Sequence, residues 1–120
     1  MKAELSWVIQ VNQVNQNNSA NKEKIDCLFN GELTVSSLIG KSKKIKKELD
    51  KILPGKFLLT LNCKNISRID SAGLAMLLGC LRWSKKQGCS PVLENLSSQA
   101  FSLAEAEGVV SLIKPFLLSE

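Results

Sequence analysis

The spacing of apolar positions changes several times along this chain, and each change marks an element. Residues 7–11, Trp-Val-Ile-Gln-Val, are β-branched and aromatic and predict a first strand. Residues 12–21 are almost wholly Asn, Gln and Ser, have little to bury, and predict a flexible hairpin loop. Ile25, Cys27 and Phe29 then recur at every second position, the period of a sheet strand ending at Gly31, with residues 33–35 continuing it after a kink. Ser36 or Ser37 caps the next predicted helix. Its buried stripe is Leu38, Ile45, Leu49, Ile52 and Leu53, its outer face is lysine, and Pro54-Gly55 stops it. Residues 57–61 form a near-continuous apolar run, the mark of a central strand covered on both faces.

The chain then reaches its most informative junction. Asp70 and Ser71 are both good helix caps, because a short side-chain oxygen accepts from the unpaired amides of a first turn. A helix over 71–87 follows. Leu74, Leu77, Leu78 and Leu81 form its core stripe, while Met76, Gly79, Cys80 and Trp83 repeat at helical spacing where a surface helix carries charge. This helix is apolar on two sides, and the second side is read as a partner surface. After the Gln87-Gly88 stop, residues 91–96 predict another strand, and Ser97 or Ser98 caps a helix through Glu107 that Gly108 ends. Residues 109–113 fit a short strand or a helical turn equally. The apolar tail Phe116-Leu117-Leu118 is expected to dock on the body or on another subunit. Alternating strands and helices predict one α/β domain over 1–120, a mixed sheet with helices mostly on one face.

Composition narrows the function more than the fold. At 120 residues, 44% apolar and 22% charged, the chain fits a single globular domain. The apolar run 72–81 is too short to span a bilayer and the first residues lack a signal-peptide core, which predicts a cytoplasmic protein. Cys27, Cys63, Cys80 and Cys89 are scattered, and there is no histidine, so buried free thiols are expected rather than a metal site. Lack of histidine also removes the commonest general base. No Gly-rich phosphate loop or G-x-S-x-G elbow occurs. No catalytic residue, metal or cofactor is expected. Residues 41–56 hold seven lysines against Glu48 and Asp50, which accounts for the whole net charge of +5. That face attracts anions in principle, but without interleaved aromatics it reads as solvated rather than nucleic-acid-binding.

The run 65–78, Asn-Ile-Ser-Arg-Ile-Asp-Ser-Ala-Gly-Leu-Ala-Met-Leu-Leu, followed by Lys85-Lys86-Gln87-Gly88, resembles the signature of STAS domains, and Gly31-Glu32-Leu33 resembles their early strand-turn step. The likeness covers about residues 24–113, and the long loop at 12–21 departs from it. Within the family the Ala72–Ala75 and Lys85–Gly88 segments look most like the MlaB-type subunit of a bacterial phospholipid-transport ABC complex. That resemblance implies a non-catalytic subunit that binds the ABC ATPase and meets the inner membrane only through its complex. The anti-sigma-factor antagonists share the Asp-Ser-x-Gly-Leu core, and in them the serine matching Ser71 is phosphorylated, which implies an anti-sigma serine kinase as the alternative partner. Ser71 is thus read first as a cap or exposed first-turn hydroxyl, then as a phosphoacceptor, and last as a nucleophile. The expected interface is Asp70, Ser71, Ala72, Gly73, Ala75, Met76, Gly79, Cys80 and Trp83.

Overall fold

The computed structural model describes residues 4–14, 22–54 and 58–117. Its sheet has four strands in the order β1 (Ser6–Val14), β2 (Lys22–Leu33), β3 (Leu58–Ile69) and β4 (Ser90–Glu94). β1 runs antiparallel to β2, whereas β2, β3 and β4 are parallel, so the sheet is mixed. The pairing of β1 reaches Val14 opposite Lys22, which takes residues 12–14 out of the predicted loop; residues 15–21 lie outside the described residues. Phe57 does too.

Period-two alternation decides which face is the core. Ile25, Cys27, Phe29, Leu59, Leu61 and Leu93 are buried on one side, while Val8 is 49% exposed on the other. The helices cover the buried side: α1 (Val35–Leu38) packs on β2, and α3 (Ser71–Lys86) packs on β2, β3 and β4. α4 (Ser98–Glu107) lies against α3. The expected α/β domain with helices mostly on one face is the one observed.

The lysine-rich region departs from expectation. In place of one helix capped by Ser36 or Ser37, Thr34 caps the short α1, with Ser37 as the reciprocal member of a capping box. α2 (Ser42–Ile52) starts anew after Gly40, whose φ of +77° breaks the helical path. Val35 therefore opens a helix rather than extending β2. Ile45, Leu49 and Leu53 are buried as predicted, and Ile52 is only half-buried. Two ties bind this region to β1 and the residue before it: the Trp7 indole donates to Glu48 at 2.7 Å, and Lys41 Nζ donates to the Leu5 carbonyl at 2.8 Å.

Late in the chain, β4 is Ser90–Glu94, shorter at its end than predicted because Asn95 turns with a φ of +59°. Ser97 is the cap of α4, and Gly108 ends that helix in the left-handed conformation. Residues 109–113 resolve as a helical turn, α5 (Val110–Ile113). The tail docks on the body through Phe116, which is buried, and Leu117, which bridges Leu93; Leu118 lies outside the described residues.

Candidate functional site

Parallel strands deliver their chain ends to one edge of the sheet, so β2 and β3 place the starts of α1 and α3 side by side. One carboxylate joins them. Asp70 Oδ1 accepts from the Gly73 amide at 3.0 Å, capping α3, and Oδ2 accepts from the Val35 amide at 2.9 Å, the first turn of α1. Between Asp70 and Ser71, the cap is Asp70. Burial raises its pKa, but the amides of Val35, Gly73 and Ala72 and the charge of Arg68 outweigh that effect and hold it below the ordinary value.

Gly73 sits under the end of β2. A Cβ there would lie 2.0 Å from the Leu33 carbonyl oxygen, and Asp70 N donates to that same oxygen at 3.3 Å. β2 reaches this position after Gly31, at φ +97°, and register irregularities that bend the strand. Gly73 is therefore a packing residue inside the domain and presents no surface to a partner, which removes it from the expected interface.

Ser71 is the first residue of α3 and is exposed. Its hydroxyl donates to Glu107 Oε1 at the end of α4. A shallow cleft of about 130 Å³ adjoins it, lined by Leu74, Ala75, Leu78 and Val109. Leu78, assigned by spacing to the core stripe, is half-buried on this flank, because the stripe facing the sheet is Leu74, Leu77 and Leu81 with Ser84. Sequence reasoning missed Glu107. It stands 36 residues away, and no local pattern connects the two.

The remaining predicted interface residues divide by depth. Ala75 and Gly79 are exposed, Ala72 is half-buried, and Met76, Cys80 and Trp83 are half-buried with one side packed against the core. The second apolar stripe is thus neither free nor fully enclosed. Its open side forms a groove of about 410 Å³ with α2, walled by Leu49 and edged by Lys43 and Lys46. The thiols are chemically quiet: burial pushes Cys27 and Cys63 to about 12 and Cys80 to about 11, and raises Cys89. At Ser71 the chemistry available is that of an accessible hydroxyl at the positive end of a helix, beside two carboxylates.

Comparison with known proteins adds four likenesses. The family model for the STAS domain matches residues 29–120. An anti-sigma-B factor antagonist of Bacillus subtilis (strain 168) is 38% identical over 55 residues, 46% of this chain; the match spans 50% of that protein's length. Among solved structures, the Bacillus cell fate determinant SpoIIAA in its phosphorylated form has a TM-score of 0.59 at 18% identity, covering 94% of this chain and 91% of that one. A sulfate transporter family protein of Wolinella succinogenes has a TM-score of 0.60 at 19% identity, covering 77% of this chain and 73% of that one. At these identities the structural likenesses establish the fold.

Proposed function

We propose, from the premise that this chain belongs to the STAS domain family, that it is a non-catalytic binding module switched by phosphorylation of Ser71, in the manner of an anti-sigma-factor antagonist. The observation that carries this reading is the placement of Ser71: exposed on the first turn of α3, on a helix capped by Asp70 and not by itself. Modification there leaves the cap intact. The antagonist relative in Bacillus subtilis supports the same branch.

The switch is electrostatic. Today the Ser71 hydroxyl is a neutral donor to Glu107. A phosphate brings a charge of about −1.5 to −2 and only acceptor oxygens, so that bond is lost. The positive end of α3 favours the new charge, whereas the neighbouring Asp70 and Glu107 carboxylates oppose it. The first-turn surface becomes strongly acidic, and a partner shaped around a hydroxyl must bury an unpaired charge, which weakens binding. An anti-sigma kinase is the partner this chemistry fits, since one enzyme then both binds and modifies the site.

The phospholipid-transport reading, with an ABC ATPase as partner and an indirect association with the inner membrane, rests on two segments. Both have a role inside the domain. Gly73 of the first makes room for the Leu33 carbonyl, and Lys85–Gly88 is the end of α3, where Gln87 is the terminal cap and Gly88 turns with a φ of +85°. Such requirements follow from the fold and do not select a partner.

The test is a titration of the wild type, Ser71→Ala and Ser71→Asp with the anti-sigma kinase and, separately, the Mla-type ATPase of the source organism. Incubation of the kinase with ATP and this protein should add one phosphate, mapped by mass to Ser71 and absent from Ser71→Ala. Ser71→Asp should bind the kinase more weakly than Ser71→Ala. Equal affinity of all three variants, or binding to the ATPase alone, would defeat the proposal.

A further inference from the structure

Gly79 lies in the middle of α3, where glycine destabilises a helix by about 1 kcal/mol relative to alanine. Gly73, on the same helix, has an internal reason to be glycine. Gly79 has none: it is exposed, and a Cβ built there meets nothing within 4 Å. Its missing side chain keeps one stretch of the α2–α3 groove open. Met76, Cys80 and Trp83 of α3 and Leu49 of α2 make that groove apolar, and Trp83 is the kind of large aromatic that anchors interfaces.

The charges around it are of one sign. Lys43 and Lys46 edge the groove, and on the far side of Trp83 a second hollow is bordered by Arg82, Lys85 and Lys86. Among the described residues no carboxylate lines either. Among the described residues none of these cations is in an ion pair, since the salt bridge found joins Lys24 to Asp26. Two of the five lysines of α2, Lys43 and Lys46, therefore stand at the rim of an apolar slot.

We infer that the α2–α3 groove is a second docking site, independent of Ser71, for an acidic amphipathic helix of a partner protein: apolar side chains enter beside Gly79 and Trp83, and flanking Asp or Glu residues pair with Lys43 and Lys46. A volume of about 410 Å³ holds a few large side chains. Cations along both sides of Trp83 match carboxylates distributed along a helix better than a single headgroup at one end of a lipid chain.

The probe is a stapled peptide helix of about four turns with Leu and Trp on one face and Glu on its flanks. Its counterpart carries Lys in place of Glu, and vesicles of phosphatidylcholine with phosphatidylglycerol form the lipid arm. Binding is followed by amide shifts of Lys43, Lys46, Gly79 and Trp83 in the full chain and in Ser71→Ala. The acidic peptide should bind both proteins at least about tenfold tighter than the lysine peptide, and less as salt rises. Gly79→Phe, which fills the slot, should abolish binding without lowering the melting temperature, whereas a Lys43→Glu/Lys46→Glu variant should prefer the lysine peptide. Equal binding of the two peptides, no binding of the acidic one at millimolar concentration, undiminished binding to Gly79→Phe, or shifts produced only by vesicles would each overturn the inference.

Discussion

Asp70 gives the most direct test of how this site is held together, because its two oxygens serve two different helices. In Asp70→Ala the Gly73 amide loses its cap acceptor, and losses of this kind cost about 0.5–2 kcal/mol. The Val35 amide also loses its acceptor. That group is near the surface, so water replaces the carboxylate and the added loss stays near the lower end of the usual range, about 0.5 kcal/mol. The sum is roughly 1–2.5 kcal/mol, and at about 3–5 °C per kcal/mol for a chain of this size the melting temperature should fall by about 3–12 °C. Asp70→Asn should fall between, since its amide oxygen can still cap α3 while its NH2 group faces the Val35 amide and cannot accept from it. The pH dependence carries the sharper signature. A carboxylate whose folded pKa is depressed contributes its stability above the unfolded value, and that contribution is lost as pH falls through the folded value. Thermal and urea unfolding from neutral pH downward should therefore show the gap between wild type and Asp70→Asn constant near neutrality and closing below about pH 4. Variants that melt with the wild type, or a gap that stays constant into strong acid, would refute the bridging role.

Two further comparisons use α3 as its own control. Gly73→Ala should destabilise strongly or abolish folding, because its Cβ would collide with the Leu33 carbonyl, whereas Gly79→Ala should raise stability by about 1 kcal/mol through helix propensity; calorimetry of the pair checks the sign of each. Leu77→Ala should cost about 2–5 kcal/mol by leaving a cavity against the sheet, and Leu78→Ala distinctly less, since its side chain is already half-exposed; chemical denaturation of both variants measures the difference.

Much of the fold was legible because its signals are local. The alternation of Ile25, Cys27 and Phe29, the apolar strand before the junction, the i, i+3, i+7 repeat of Leu74, Leu77 and Leu81, and the stop at Gly108 each lie within a few residues of what they specify. Hydrophobic burial and helix capping act over that range, so a sequence window captures them. The start of α1 was misplaced for a related reason. Thr34, Ser36 and Ser37 are neighbouring cap-type residues, and only the bend at the end of β2 selects the first.

The site was legible in its residues but not in its roles. The sequence singled out Asp70, Ser71, Gly73, Gly79 and Trp83 as one surface, and tertiary structure divided them. Asp70 became a bridge because Val35 arrives from 35 positions away, Gly73 became core because the Leu33 carbonyl covers it, and Ser71 acquired Glu107 as its acceptor from 36 positions away. Likewise Lys43 and Lys46, on a helix face that composition reads as solvated, edge an apolar slot only because α2 lies beside α3. Short-range patterns decide which residues form each helix and strand. Which residues meet depends on how the parallel crossovers bring separate helix starts to one sheet edge, and no periodicity along the chain records that.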